Sequence, residues 1–355
     1  MTTWHGCKNI LVIRADNTGD VLMSSPAIRA LKDSFNCRIT LLTSTDTSKV
    51  VSLLPMVDET IAVDLPWVKL KANHATHIVE KLVSQLKVAS FDACVIFTVY
   101  SQSPLPAAML AWMAGIPRRL AYCRENPYEL LNDWIPEKEP YELIKPQVER
   151  DLDLVERVGA VAKEKKITVA IKENAISSVR IKLEALGINL SKPFIVLHPG
   201  VSEEKRQFPE EKWEELAKEM LKLLDTQIVF SGSDSESSIT NRLKDRVKDN
   251  SFSTGGLFRI DEFAALLQMS KLVISVNTAT VHLATAVETP LVVLYAQTNP
   301  QHHPWMGNTR VLEYSIDEQI KSKNEVIRYV DRKYYADYLP LPSVNDIMQA
   351  VLSMW

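Results

Sequence analysis

Short runs of consecutive apolar residues alternate with amphipathic stretches along most of this chain. The run 9–13, Asn-Ile-Leu-Val-Ile, is continuous and β-branched, which is typical of a strand buried on both faces of a sheet. Similar runs predict strands at 38–43, 59–63, 92–99, 194–197, 226–230, 272–275 and 291–295. Apolar residues at helical spacing, with capping and breaking residues at the ends, predict helices at 20–35, 74–87, 105–114, 147–158, 209–224, 235–247, 260–269, 278–287 and 344–354. This alternation indicates parallel sheets covered by helices on both faces.

The length of 355 residues favours two such units over one. The segment 162–192 is polar and charged, and the strand and helix alternation resumes after it. We therefore expect an α/β protein with two Rossmann-like, doubly wound domains facing each other across a cleft. The expected divisions are residues 1–165, a linker at 166–190, a second domain at 191–335 and a C-terminal helix within 336–355. Ligands of such domains bind at the carboxyl ends of the strands and between domains.

Charge and cysteine content exclude several classes of protein. A formal net charge of −3 argues against a dedicated nucleic-acid-binding protein. The four cysteines are scattered without zinc spacing and are typical of reduced, buried thiols. No run approaches the ~20 apolar residues of a membrane span, and the first eight residues lack the apolar core of a signal peptide. We expect a cytoplasmic protein whose contact with a membrane is peripheral.

The loop 14–20 follows the first predicted strand and is the first candidate site. It contains neither G-x-G-x-x-G nor a Walker lysine, but it places Asp20 beside a glycine where a helix begins. Asp20 is interpreted either as an N-cap residue or as a general base in the cleft.

Two further candidate loops follow the first two strands of the second half. The loop after 194–197 carries Lys205 and Arg206 just before a helix, which suits a diphosphate or, alternatively, two solvated cations. The loop 231–236 ends in Glu236, which is either a ribose ligand or a helix-stabilising glutamate.

The fourth candidate, 275–284, runs from a buried strand through a polar turn into an apolar helix. Asn277 or Thr278 would cap that helix and leave free N–H groups for a phosphate. His282, one turn further on, either donates to that phosphate or is a half-buried histidine with a structural partner. The pair His74 and His77 lacks a third ligand, and we predict no metal site.

Taken together, these segments resemble the heptosyltransferases of glycosyltransferase family nine, which have the GT-B fold. The similar motifs lie at 19–27 (G-D-V-L-M-S-S-P-A), 114–119 (A-G-I-P-R-R), 205–209 (K-R-Q-F-P), 232–236 (G-S-D-S-E), 277–282 (N-T-A-T-V-H) and 295–300 (Y-A-Q-T-N-P). Two signature residues differ from the family pattern, since Asn277 stands in place of aspartate and Ala279 in place of glycine. The last motif also differs, at Ala296, Gln297 and Asn299.

The resemblance implies an inverting, metal-independent glycosyltransferase that needs no cofactor. Its donor would be a nucleotide sugar, ADP-heptose by family expectation, and its acceptor a glycan or glycolipid such as a lipopolysaccharide core at the inner membrane face. Asp20 would be the catalytic base. Donor-binding positions would be Ser202, Lys205, Arg206, Gly232, Glu236, Phe258, Asn277, Thr278, Ala279 and His282.

Cations of the first half are the candidates for the acceptor site. These are Arg118, Arg119 and Lys69, with Trp67, Lys71 and Arg124 nearby in the sequence, although scattered surface cations would look the same. Two other functions stay open at this point. One is a sugar-nucleotide epimerase of the same fold, and the other is a nucleotide-sugar-binding module that has lost catalysis.

Overall fold

A computed structural model describes residues 4–68 and 77–355. The chain divides into two compact units, Met1–Thr168 and Val169–Trp355. Each unit contains one six-stranded sheet, and every pairing between the described strands is parallel. The expected α/β class is confirmed within each unit.

The first unit follows the order predicted for its opening half. Its elements are β1 (Asn9–Ile13), α1 (Thr18–Phe35), β2 (Arg38–Thr43), β3 (Glu59–Ala62), α2 (His77–Ala89), β4 (Ala93–Ile96), α3 (Leu105–Met113), β5 (Arg118–Cys123), β6 (Asp133–Pro136) and α4 (Gln147–Glu156). The strand order is β3-β2-β1-β4-β5-β6.

The second unit repeats this arrangement. Its elements are α5 (Glu173–Ala185), β7 (Phe194–His198), α6 (Glu210–Leu223), β8 (Gln227–Phe230), α7 (Ser237–Val247), β9 (Ser251–Ser253), α8 (Ile260–Met269), β10 (Leu272–Val276), α9 (Ala279–Ala286), β11 (Leu291–Ala296), β12 (Thr309–Tyr314), α10 (Glu325–Tyr334) and α11 (Val344–Leu352). The strand order β12-β11-β10-β7-β8-β9 is the same doubly wound order read from the other edge.

Several expected boundaries need correction. The segment 166–190, predicted as a linker, contains α5, whose Ser178 and Lys182 contact Glu262 of α8, so this helix belongs to the second unit. The strands β5, β6, β9 and β12 and the helices α5 and α10 were not predicted. The last helix, α11, places Ile347 and Val351 in the core of the second unit.

Each sheet is buried by continuous apolar strands, as the sequence indicates. In the first unit Leu11 and Ile13 of β1 pack with Leu110 of α3. In the second unit Ile228 of β8 packs with the fully buried Trp213 of α6. Among the described helices, none is both long enough and apolar enough to cross a bilayer.

Candidate active site

The candidate residues follow the carboxyl ends of the strands. Asp20 comes after β1 in the first unit, while Gly200, Glu236 and Thr278 come after β7, β8 and β10 in the second. The direction of chain progress across the sheet reverses between β1 and β4 and again between β7 and β10. Ligands of doubly wound sheets bind at these reversal points. The loops after β1, β7 and β10 flank them, and the loop after β8 lies one strand further along the sheet.

Asp20 lies in the first turn of α1, close to the end of β1. Its side chain is buried, and its Oδ1 accepts a hydrogen bond from Arg14 Nη2 at 3.0 Å. Its Oδ2 accepts a hydrogen bond from the backbone N–H of Asn17 at 3.1 Å. Asn17 occupies the N-cap position, so the alternative interpretation of Asp20 as the N-cap itself is wrong. Two donors from one short loop thus fix the direction of this carboxylate.

Arg14 is a fully buried cation beneath Asp20. Burial alone would lower the pKa of its guanidinium, but three nearby carboxylates outweigh burial and raise that pKa. These carboxylates are Asp16, Asp20 and Asp151. Arg14 Nε lies 3.4 Å from Asp16 Oδ2, and Asp16 Oδ1 accepts a hydrogen bond from Gln102 Nε2 at 2.9 Å.

Lys205 and Arg206 occupy a short 3-10 turn after β7. Arg206 Nη1 donates to the backbone oxygen of Asn277 at 3.1 Å, which places this cation beside the start of α9. Both cations also pair with Glu203, Lys205 at 3.3 Å and Arg206 at 2.7 Å. Because these ion pairs are partly exposed, they are weak, and an anionic ligand can displace Glu203 at little cost.

The turn that carries these cations is anchored in the core. Phe208 is fully buried and packs edge-on against Trp213, with ring centroids 5.7 Å apart. The hydroxyl of Tyr314 donates to the backbone oxygen of Arg206 at 3.0 Å. Ser202, predicted to bind the donor, is exposed on the same loop.

Glu236 closes a tight turn after β8. Its Oε2 accepts hydrogen bonds from the backbone N–H of Ser233 at 2.6 Å and from the Ser233 hydroxyl at 2.8 Å. A Cβ added to Gly200 would lie 2.2 Å from the Glu236 carboxyl group, and one added to Gly232 would lie 2.9 Å from its Cβ. A larger residue at either position would therefore force the Glu236 side chain to move from this place. These contacts agree with the interpretation of Glu236 as a helix-stabilising glutamate. Its contact with a ribose stays a prediction.

His198 ends β7 beside the same carboxylate. Its Nδ1 lies 3.1 Å from Ser231 Oγ. Burial lowers the pKa of His198, and the negative charge of Glu236 opposes this effect. His198 lies in the predicted loop after 194–197, and the sequence motifs predicted no role for it.

Asn277 joins the ends of two neighbouring strands through its side-chain amide. Its Nδ2 donates to the backbone oxygen of Ala296 at 3.0 Å and to Thr298 Oγ1 at 3.1 Å. Its Oδ1 accepts a hydrogen bond from the backbone N–H of Ala296 at 3.2 Å. The amide thus satisfies both backbone polar groups of the buried residue Ala296, and a carboxylate at this position could satisfy only the N–H.

The turn at Thr278 leads into α9. Thr278 is the N-cap residue with an extended backbone, and Ala279 is the first helical residue. Ala279 therefore adopts an ordinary helical conformation that needs no glycine. His282 is buried one turn further along the helix. The first N–H groups of α9 thus lie next to Arg206, which bonds the residue before Thr278.

Phe258 is half-buried after β9, and Lys182 Nζ lies 5.5 Å from its ring centroid. The same ammonium group donates to the backbone oxygen of Leu257 at 3.1 Å and to both carboxylate oxygens of Glu262 at 2.9 Å. Burial would raise the pKa of Glu262, but hydrogen bonds from Ser178 and the backbone, together with Lys182, lower it to about 2. Lys182 was not predicted as a member of this site.

The predicted acceptor residues Arg118 and Arg119 lie at the opposite end of the strands of the first sheet from Asp20. Arg118 is paired with Ala93, which is paired with Ile10, so both arginines stand at the amino ends of the strands while Asp20 follows the carboxyl end of β1. Arg119 donates to the backbone oxygens of three residues, Ile116, Glu129 and Leu130. The structure does not bring these arginines to Asp20, and acceptor binding by them stays a prediction.

Arg124 lies after the carboxyl end of β5, the end of the strands that Asp20 also follows. It follows β5 and is exposed, and its Nη2 donates to the backbone oxygens of Tyr100 at 3.1 Å and Glu139 at 2.6 Å. Lys69 and Lys71, also named for the acceptor, lie outside the described residues. Among the residues described, no cluster of three histidine, cysteine, aspartate or glutamate side chains could hold a metal ion.

Comparison with known proteins identifies the family. A model described as glycosyltransferase family 9 (heptosyltransferase) matches residues 79–328. A putative glycosyltransferase of Haemophilus influenzae is 26% identical over 81% of this chain and 82% of its own length. Lipopolysaccharide heptosyltransferase 2 of Salmonella typhimurium is 24% identical over 83% of this chain and 84% of its own length.

Solved structures show the same fold. A family 9 glycosyltransferase from Veillonella parvula aligns with a TM-score of 0.79 at 17% identity, covering 98% of this chain and 97% of its own. The ADP-heptose lipopolysaccharide heptosyltransferase II of Escherichia coli aligns with a TM-score of 0.72 at 20% identity, covering 98% of both chains. The expected GT-B fold is confirmed. Since the family model matches more than half of its residues, the chain belongs to glycosyltransferase family 9, the heptosyltransferases.

Proposed function

We propose that this glycosyltransferase moves a heptose from ADP-heptose to a hydroxyl group of a lipopolysaccharide core or related acidic glycan, with inversion and without a metal. The observation that carries the proposal is the carboxylate of Asp20, buried at the end of β1 and oriented by Arg14 and Asn17. A heptosyltransferase of E. coli, 18% identical to this chain, has been solved with ADP, and a lipopolysaccharide heptosyltransferase is among the relatives.

Asp20 is the proposed general base. As the acceptor oxygen forms its bond to the anomeric carbon, the bond from that carbon to the diphosphate oxygen breaks. The acceptor proton passes to the Asp20 carboxylate, and the electron pair of the broken bond leaves with the nucleoside diphosphate. General-base catalysis of this kind contributes about 10²–10⁴-fold.

The charge that develops on the leaving diphosphate is the proposed target of Arg206, Lys205 and the start of α9. Arg206 is directed towards that helix end by its bond to the Asn277 oxygen. Fixed cations and free N–H groups stabilise the developing charge more than they stabilise the ground state. They would supply the kind of charge stabilisation that a bound metal ion provides in metal-dependent enzymes.

The remaining donor contacts follow from the same edge of the second sheet. We propose that Glu236 binds the ribose hydroxyls and that Phe258 packs against the base. Ser202, Gly232, Thr278, Ala279 and His282 would line the diphosphate and sugar.

The proposed acceptor lies at the cytoplasmic face of the inner membrane. Support comes from the outer side of α3, where Met109, Trp112 and Met113 are each more than 40% exposed at helical spacing. Such side chains favour a membrane interface. No nucleic-acid partner is proposed for a chain whose net charge is −3.

Donor choice is tested with a thermal-shift panel of ADP, GDP, UDP, CDP and dTDP, with ADP-heptose alongside. Selective stabilisation by ADP and ADP-heptose is expected. Selective stabilisation by another diphosphate would refute the donor, and no stabilisation by any would favour a module that does not bind nucleotide sugars.

The base is tested with Asp20→Asn, matched by Asp46→Asn, which makes the same change at an exposed aspartate of the same unit. Asp20→Asn should bind ADP-heptose as the wild type does and turn over at least about a hundredfold more slowly. Asp46→Asn should have wild-type turnover. If Asp20→Asn keeps its turnover, another group removes the acceptor proton.

A further inference from the structure

A second carboxylate, Asp151 of α4, is buried beneath the same arginine that holds Asp20. Asp151 is 1% exposed, and its Oδ2 accepts a hydrogen bond from Ser24 Oγ at 2.6 Å. Ser24 lies four residues after Asp20 in α1 and so projects from the same face of that helix. Its hydroxyl oxygen is also 3.0 Å from the Asp20 backbone oxygen. Ser24 therefore connects the Asp151 carboxylate to the helical turn that carries Asp20.

Three carboxylates act on the one guanidinium of Arg14. Asp16 and Asp20 lie 3.4 and 3.0 Å from its nitrogens, and the negative charge of Asp151 also raises its pKa. Arg14 is fully buried, which weakens screening by solvent. Each carboxylate therefore competes with the other two for the same cation.

Arg150, next to Asp151 in the sequence, also lowers the pKa of Asp151, but it does so less than Arg14 does. Its guanidinium is paired with Glu137 and Glu139, and its Nε donates to the Thr98 backbone oxygen at 3.1 Å. Among the charged groups, Arg14 opposes the effect of burial on Asp151 most strongly, and Gln147 Nε2 donates to Asp151 Oδ1 at 2.7 Å. The charged and titratable groups that face Asp151 are thus Arg14 with Asp16 and Asp20, Arg150 with Glu137 and Glu139, and Tyr122 of β5.

We propose that Asp151 is a positioning residue which, by competing for Arg14, keeps Asp20 a strong enough base to accept the proton of the acceptor hydroxyl. This inference rests on the proposed role of Asp20. When Asp151 is ionised, Arg14 is shared and Asp20 keeps more of its affinity for a proton. When Asp151 takes up a proton, Arg14 neutralises Asp20 more fully, and Asp20 becomes a weaker base.

Asp151 changes its charge at a pH where activity is readily measured. Burial raises the pKa of Asp151, and attraction to Arg14 and the hydrogen bond from Ser24 only partly oppose this, so that the pKa is about 6. Turnover of the wild type should therefore fall in a step as the pH drops through about 6, by a factor of about three to ten for a modestly weaker base.

The test is the pH dependence of kcat for the wild type and Asp151→Asn, with Asp153→Asn as the matched control. Asp153 is on the same helix, and its side chain is 40% exposed. Asp151→Asn should have about three- to tenfold lower kcat at neutral pH, no step near pH 6, and an unchanged KM for the donor. The wild-type and variant curves should meet below the step, and Asp153→Asn should follow the wild type.

A second variant should move the pH of the step rather than abolish it, and so it separates the proposal from a folding defect. Ser24→Ala removes the hydrogen bond that favours the ionised form of Asp151, so the step should move to higher pH. Asp151 is retained in this variant and can still ionise. A step that persists unchanged in Asp151→Asn, or a kcat lowered by one factor at every pH, would overturn the inference and leave Asp151 a structural residue. If instead Asp20→Asn keeps its turnover, the role of Asp20 itself fails, and the two failures are distinguished.

Discussion

Replacing Asn277 by aspartate restores the residue expected from the family motif and should nevertheless destabilise this protein. The amide of Asn277 satisfies both the N–H and the carbonyl oxygen of Ala296. A carboxylate keeps the bond from the N–H but turns the donor at 3.0 Å from the carbonyl oxygen into a second acceptor.

The cost can be estimated from these contacts. Losing one neutral hydrogen bond costs about 1 kcal/mol, and leaving a buried carbonyl oxygen without its donor adds about 1–3 kcal/mol. Arg206, whose Nη1 donates to the Asn277 backbone oxygen, would attract the new charge and offset part of this. A net loss of about 2 kcal/mol in the free energy of unfolding is expected, which is about 4–8 °C in the melting temperature of a unit the size of Val169–Trp355.

The loss should depend on pH with a defined sign. A protonated carboxyl group can donate to the Ala296 oxygen, so folding should raise the pKa of the new side chain. The deficit should therefore be small near pH 4 and complete near neutral pH. Thermal melts of the wild type, Asn277→Asp and Asn308→Asp, an exposed asparagine of the same unit, would measure it. Equal melting temperatures for Asn277→Asp and the wild type at neutral pH would refute the role given to the amide.

Three further changes test other contacts. Gly200→Ala places a Cβ 2.2 Å from the Glu236 carboxyl group and should lower ADP affinity at least about tenfold in calorimetry, because this carboxyl group must move. A wild-type affinity for ADP would show that ADP binding does not depend on the position of the Glu236 carboxyl group. Arg206→Gln should weaken ADP binding by about ten- to a hundredfold, since it removes a charged hydrogen bond worth about 1.5–3 kcal/mol. An unchanged affinity for ADP would place the diphosphate elsewhere. Because burial raises the pKa of Asp151 to about 6, the ionised form costs stability, and urea titrations should show the wild type losing about 3 kcal/mol relative to Asp151→Asn between about pH 4 and 7. A constant difference between the two proteins would contradict this sign.

Strands buried on both faces were the elements that the sequence predicted best. The run 9–13 matches β1 and the run 38–43 matches β2 residue for residue, because a central parallel strand is buried along most of its length and is rich in apolar residues. The strand β5 was missed because it begins with Arg118 and Arg119. The buried charge of Arg119 is compensated by carbonyl oxygens from a later loop, and such compensation cannot be seen before folding.

The helix α5 was missed for a different reason. Its buried residues Ala175, Val179 and Leu183 are spaced by four, which is a helical pattern, but the charged residues between them resembled a linker. The edge strand β12 carries the exposed Arg310, so it lacks the continuous apolar run that identifies central strands.

The position of Asp20 could be predicted because it depends on local sequence, a strand followed by a polar turn and a helix. Its environment could not be predicted. Ser24 and Asp151 are 127 residues apart in the chain, and only the packing of α4 on α1 brings them within 2.6 Å of each other. The electrostatic effect of Asp151 on Arg14 depends on that same packing.

Most of the departures from the family motifs have hydrogen-bond partners of their own. Asn277 bonds the backbone N–H and carbonyl oxygen of Ala296, and both positions differ from the family pattern. Gln297, another difference, donates to Glu313 and accepts from Ser315, while Asn299 accepts from the backbone N–H of Gln301. A site that had drifted after losing its function would be expected to leave buried polar groups without partners, because nothing would select for their compensation. The matched contacts of these residues therefore favour a donor site that has been remodelled and retained, and this argues against a module that has lost catalysis.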